Sequence, residues 1–175
     1  MVGYDPADAA GVFTFGGTGT VTVAFGSGDD NPLSVAVQPD GKILLAGQSD
    51  STTSDFALLR YKIDGSPDTS FGGGDGIVTT DILSASDSAN SVTLQADGKI
   101  LVSGKSNNDF AVVRYDIDGS LDFSFGGGDG IVVTDIDGGT DDGKSLTLQP
   151  DGKILVAGQS APCLPYAYVD TNSRR

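Results

Sequence analysis

The chain has 175 residues, 38% of them hydrophobic, which is enough for one ordinary domain. Its 24 acidic and 10 basic side chains give a formal net charge of −14, and a surface of that sign repels phosphate, so nucleic acid and anionic membrane surfaces are excluded as partners. No His is present and Cys163 is the single Cys, which removes Ser-His-Asp and Cys-His catalysis, His-ligated zinc and any internal disulfide.

Residues 1–12 read as an N-terminal extension, "MVGYDPADAAGV", without the basic start and apolar core of a secretory signal. No later stretch reaches the roughly 18 apolar residues of a bilayer span, so no membrane insertion is expected. At residues 13–31 a faint copy of a repeat begins with "FTFGGTGTVTV". The repeat is then written fully over 32–88 and 89–142, and partly over 143–160. "QPDGKILLAG" (Gln38 to Gly47) returns as "QADGKILVSG" (Gln95 to Gly104) and "QPDGKILVAG" (Gln149 to Gly158). The segment from Asp55 to Ile82 returns from Asp109 to Ile136 with 22 identities in 28 positions.

Within one unit, Leu33 to Gln38 alternates apolar and small or polar residues, the period of a strand. "PDGK" turns the chain, because Pro39 presets φ, Asp40 bonds backbone locally and Gly41 accepts positive φ. A second strand follows over Ile43 to Gly47, a third over Phe56 to Lys62 and a fourth over Ile77 to Ile82, after the long turn "IDGSPDTSFGGGDG". No segment carries a capped 3.6-residue period, so almost no helix is expected. Four strands per unit is the arithmetic of a propeller blade. The fold class is all-β, an incomplete β-propeller of about three four-stranded antiparallel blades. After Ser160 the pattern stops, and 161–175 reads as a divergent C-terminal tail. An arc of three blades leaves apolar blade faces open, so self-association is expected.

The linked motifs "QPDGKIL", "DFALLRY", "IDGS" and "FGGGDG" resemble the delta-60 repeat, a propeller-type repeat of large bacterial surface and secreted proteins. That resemblance covers Phe13 to Ser160. It implies a blade-like fold, an extracellular or cell-surface setting and a binding role, and it brings no catalytic residues with it.

Several motifs bear on chemistry. "GGTDDGKS" (Gly138 to Ser145) spells a phosphate loop, but a strand follows it where a helix is needed, and Asp141 and Asp142 would repel the ligand. Ser160 in "GQSAP" lacks a nucleophile elbow and a His to activate it. Cys163 has no His partner either, and reads as an incidental thiol. The acidic turns are the better candidates. Asp116, Asp118 and Asp122 lie in "DIDGSLD", and Asp135, Asp137, Asp141 and Asp142 lie in "DIDGGTDD". Hard oxygen ligands around a Gly turn suit Ca2+, although the distal Glu of an EF-hand is missing, and the competing reading is a set of Asx turns. Arg60 and Arg114 would either clamp a carboxylate ligand or pair across blades with Asp68 or Asp122; their recurrence favours the ion pair.

The leading functional expectation is a non-catalytic repeat module, structural or partner-binding. The alternative is a Ca2+-dependent hydrolase of a small ester or lactone, built on an Asp-held metal. A minor third reading is binding of a small molecule or carbohydrate at blade-edge Tyr and Asp groups.

Overall fold

The computed structural model describes residues 15–17, 19–22, 30–49, 53–136, 138–161 and 164–170. The N-terminal extension, Asp137 and Cys163 fall outside them. Eleven strands form, from β1 (Asn31–Val37), β2 (Ile43–Ser49), β3 (Asp55–Tyr61) and β4 (Ile77–Thr80), through β5 (Asp87–Leu94), β6 (Ile100–Ser106), β7 (Asp109–Tyr115) and β8 (Ile131–Thr134), to β9 (Thr140–Leu148), β10 (Ile154–Ala161) and β11 (Leu164–Asp170). Three antiparallel sheets result, in the orders β1-β2-β3-β4, β5-β6-β7-β8 and β9-β10-β11. Among the described residues the helical content is one 3-10 turn, Phe15–Gly17.

The expected strands lie within two residues of the observed ones. β4 stops at Thr80 rather than Ile82 because Asp81 leaves the ladder as the chain crosses to the next sheet. The third sheet has three strands, and its last is supplied by the divergent tail, where Leu155 pairs with Asp170 and Gly158 with Ala167.

The repeated decapeptide is a hairpin, and each residue in it has a local task. Gln38 N–H donates to Lys42 O at 2.8 Å, Gly41 N–H to Gln38 O at 2.9 Å, and Lys42 N–H to Asp40 Oδ1 at 3.1 Å. The same three bonds recur at Gln95 and, with Lys153 N–H to Asp151 Oδ1 at 3.2 Å, at Gln149. Gly41, Gly98 and Gly152 hold φ of 84°, 88° and 84°, which costs a residue with a Cβ. The closing glycine has a different reason. β1 and β5 each carry a bulge, between Pro32 and Ser34 and between Ala89 and Ser91, which presses backbone against the facing glycine. A Cβ at Gly104 would stand 1.9 Å from Ser88 O, and one at Gly47 would stand 2.2 Å from Asn31 O.

A strand alternates its side chains between two faces, so a middle blade can bury both only between neighbours. Ile100, Val102, Ala111, Val113 and Tyr115 of the second blade pack with Leu44, Ala46, Phe56 and Leu58 of the first. Its other face, Leu101, Phe110 and Val112, packs with Leu146, Ile154 and Val156 of the third. The Tyr115 hydroxyl, fully buried, meets Thr80 Oγ1 at 2.7 Å across the first seam. Inner strands are laced by side chain to backbone bonds: Val92 N–H donates to Ser34 Oγ and Leu146 N–H to Ser91 Oγ, each at 3.1 Å.

Among the described residues, the first blade meets on its leading face only a short remnant. Phe15, Gly16 and Val21 lie against Gly65 as Phe71 and Val78 lie against Gly119. These residues belong to the faint first copy of the repeat, in the place that Phe71 to Val78 hold in the next one. Val21 packs beside the buried Ala57, Leu59 and Tyr61. Nearer the inner edge Leu33, Val35 and Val37 stay 46%, 56% and 64% exposed.

Candidate metal centre

All three sheets alternate strand direction, so the starts of β3, β5 and β7 and the ends of β4 and β8 meet at one end of the blades. Each of these termini carries an Asp. Asp55 opens β3, Asp81 follows β4 and Asp87 opens β5; Asp109, Asp135 and Asp141 repeat the arrangement one blade later. In each trio one carboxylate oxygen per residue lies within 4.8 Å of the others. Asp87 and Asp141 are buried, at 1% and 0% exposure, and Asp81 and Asp135 are exposed.

Both buried carboxylates are anchored from one side. Ile82 N–H donates to Asp87 Oδ2 at 2.8 Å, and Ile136 N–H to Asp141 Oδ2 at 2.6 Å. The second oxygen of each, Oδ1, accepts no hydrogen bond, nor does Asp55 Oδ1. Burial, with the charge on Asp81, raises the Asp55 carboxyl above its ordinary pKa. Burial likewise raises Asp87, against the Ile82 amide and the Ser106 hydroxyl, with Asp55 and Asp81 adding to the rise. Asp109 is raised by burial and by Asp135 and Asp141. Each trio thus gathers three carboxylates within reach of one another, the electrostatic condition that a hard cation relieves.

Of the residues expected to bind Ca2+, Asp135 and Asp141 belong to such a trio. Asp116, Asp118, Asp122 and Asp142 do not, because each has a local partner. Asp122 is paired with Arg114 at 2.6 Å and Lys99 at 3.0 Å, and it accepts from Ser124. Asp116 binds Lys99 at 2.5 Å. Asp118 accepts from the Ser120 amide and hydroxyl, closing an Asx turn. Asp142 accepts from Asn90 Nδ2 and Lys144 Nζ, each at 2.6 Å. Asp137 lies outside the described residues. The ligand candidates missed in the sequence are Asp55, Asp81, Asp87 and Asp109. The signal for them was present: each residue of the first trio recurs 54 positions later.

The arginines are structural, with a difference from expectation. Arg60 Nε donates to Asp68 Oδ2 at 2.8 Å within its own blade, not across a seam. The seam is crossed by its Nη1, which donates to the Ile117 carbonyl of the second blade. The guanidinium also stacks 4.4 Å from the Phe71 centroid, and Lys42 of the decapeptide joins Asp68 at 3.1 Å. Arg114 repeats the pair with Asp122 and the stack on Phe125 at 4.6 Å. At the same end a cleft of about 630 Å3 is lined by Gly72, Gly73, Asp75, Asp118 and Ser120 among others. Its two carboxylates hold their own turns, Asp75 accepting from Ile77 N–H at 2.9 Å.

Residues 38–71, 95–125 and 149–162 match the model of a family described as "Domain of unknown function (DUF5122) beta-propeller". Each matched segment opens on the Gln of the decapeptide. The fold is a β-propeller fold. The three sheets are blades, with β1, β5 and β9 the first strand of each. Among solved structures the propeller is similar to selenomethionine-substituted virginiamycin B lyase from Staphylococcus aureus, at 13% identity and a TM-score of 0.44, over 85% of this chain and 44% of that one. This chain therefore spans less than half of that enzyme's length. No curated protein sequence matches it. No described helix is long and apolar enough to cross a membrane.

Proposed function

We propose that the chain is a non-catalytic β-propeller repeat segment, a structural or partner-binding piece of a bacterial extracytoplasmic protein. The observation that carries this reading is the mutual engagement of the polar side chains around its recurring arginine. Arg60, Asp68, Ser70 and their counterparts Arg114, Asp122 and Ser124 bond one another, and Lys42 and Lys99 bond the same carboxylates. An active site needs polar groups converging on open space; these converge on each other. The resemblance to delta-60 repeats supports the extracytoplasmic setting. The test is turnover. Purified protein loaded with Ca2+ should hydrolyse small esters and lactones no faster than buffer. Chelator-sensitive turnover that is lost in Asp81→Asn would sink the proposal and establish the hydrolase alternative.

The binding role falls to the open blade face. Val92 and Leu146, the register counterparts of Val35, are each 7% exposed because a preceding blade covers them. Val35 at 56% presents the same surface uncovered. Ser145 corresponds to Ser34 and Ser91 at the other end of the arc and is exposed. A second copy of the chain fits head to tail, with its third blade against the first blade of its neighbour. Sedimentation of the purified chain should show a dimer or larger assembly, and Val35→Asp should give a monomer with an unchanged circular dichroism spectrum. A wild-type monomer at tens of micromolar would overturn the docking.

A further inference from the structure

We propose that each seam between consecutive blades is a binding site for a hard divalent cation of the Ca2+ type, with Asp55, Asp81 and Asp87 as ligands at the first seam and Asp109, Asp135 and Asp141 at the second. The acidic trio alone would not carry this. The buried oxygens do: Asp87 Oδ1 and Asp141 Oδ1 sit in residues that are 1% and 0% exposed and accept no hydrogen bond. A buried carboxylate oxygen without a donor is costly, and proteins retain such an atom where something absent from the protein atoms completes it. The other oxygen of each residue is held by a backbone N–H, from Ile82 and Ile136, which fixes where the free oxygen points. This is the arrangement in which an outer hydrogen bond orients a metal ligand.

The ligand set decides the class of ion. Three carboxylates with no nitrogen or sulfur select a hard cation over zinc or copper. Two ligands of one Ca2+, each about 2.4 Å from it, can stand as far apart as about 4.8 Å, and the oxygens of each trio meet that limit. The trios also share an architecture across loops of different sequence, in which one oxygen of Asp87, Asp141 and Asp135 holds a loop amide. The connecting loops differ, "DILSASD" against "DIDGGTD", yet the aspartates at both ends persist. Each trio draws two ligands from one blade and one from the next, so the ion would tie the blades together beside the short backbone bonds from Asp87 N–H to Ser54 O, at 2.6 Å, and from Asp141 N–H to Asn108 O, at 2.5 Å. The inference is independent of the non-catalytic reading, because a seam cation is structural whether or not a substrate binds elsewhere.

Calorimetric titration of the chelator-stripped full chain with CaCl2 tests it. The expected result is saturable binding of two ions per chain and a rise in Tm with added Ca2+, as for any ligand of the native state. Asp81→Asn and Asp135→Asn alter exposed ligands and leave the buried anchors intact, so both variants should fold. Each should lose one of the two ions or weaken it by roughly tenfold or more, and the double variant should show no Ca2+-dependent rise in Tm. Tb3+ luminescence on the same proteins gives a second readout of occupancy. Absence of saturable heat together with an unchanged Tm at millimolar Ca2+ would overturn the proposal. So would binding that the two substitutions leave unaltered, which would place the ion elsewhere on an acidic surface.

Discussion

Arg60→Met should lower the stability of the chain by about 3 kcal/mol, the low end for breaking a buried ion pair from one side. For a chain of this size that is a fall in Tm of roughly 6–12 °C. The Arg60 side chain is 4% exposed, as is that of Asp68. Methionine fills the space of the alkyl stem but supplies no donor. Asp68 then keeps only Lys42 and the Ser70 groups, while the Ile117 carbonyl loses its donor from the first blade. The loss therefore falls on the blade and on the seam together. Arg114→Met is the control. The Arg114 side chain is 16% exposed, and it bonds Asp122 and Ser124 of its own blade. Its replacement should cost about half as much. Equal losses at the two sites would mean that the bond to Ile117 adds nothing.

The same cluster sets the acid side of the stability profile. Burial opposes the charge on Asp68, but the Ser70 hydroxyl and amide, Lys42 and Arg60 outweigh it, and the carboxyl is held well below the usual range. Asp122 is lowered in the same way, against burial, by Ser124, Lys99 and Arg114. A carboxyl depressed in the folded state stabilises fully above its unfolded pKa of about 3.9, and that contribution is lost as pH falls through the folded value. The contribution of Asp68 and Asp122 should hold down to about pH 4 and then decline with further acidification, while the raised Asp55, Asp87 and Asp109 act with the opposite sign at higher pH. In Arg60→Met the decline should be shallower, since Asp68 is less depressed. Urea denaturation at a series of pH values between 2 and 7 reads both slopes.

The blades were legible in the sequence because the residues that make them act locally. Gly41 needs its positive φ, Asp40 bonds two residues on, and the alternation of the strands is a period of two. A reader of the sequence sees all of that within ten positions, and the repeat multiplies the signal. The same habit of reading set the metal candidates among residues adjacent in the chain. Asp116, Asp118 and Asp122 are close in the chain, yet their oxygens serve Lys99, Ser120 and Arg114. The trio that does converge takes Asp55, Asp81 and Asp87 from three strand ends in two blades. Sequence proximity is a poor guide there, because the strand ends are brought together by sheet order and not by a turn. Recurrence sorts only part of the set: Asp116 corresponds to Lys62, Asp137 to Leu83 and Asp142 to Ser88, so these three are not repeated, whereas Asp118 and Asp122 recur as Asp64 and Asp68, as every member of the trio recurs.

Gly104→Ala should destabilise the chain by about 3 kcal/mol, the upper range for forcing extra volume into a packed interior. The reason is contact rather than backbone freedom, since Gly104 is not among the glycines with positive φ. Its added methyl would meet Ser88 O at 1.9 Å and Ala89 Cα at 3.0 Å, both backbone atoms of the β5 bulge. Neither can rotate away. β5 is held on its other side as well, because Asn90 Nδ2 donates to Asp142 and to Gly143 O, and Ser91 Oγ accepts from Leu146 N–H. Gly47 offers the contrast. A methyl there would stand 2.2 Å from Asn31 O, nearly as close, but the next blade holds β1 by one such bond, Val92 N–H to Ser34 Oγ, where it holds β5 by three. Gly47→Ala should cost about 1–2 kcal/mol, at the lower end of the same range. Thermal unfolding of the two variants decides the matter. A larger loss at Gly47 than at Gly104 would show that the bulge, and not the clamp from the next blade, sets the cost. It would also mean that β1 is not the free edge on which docking of a second copy depends.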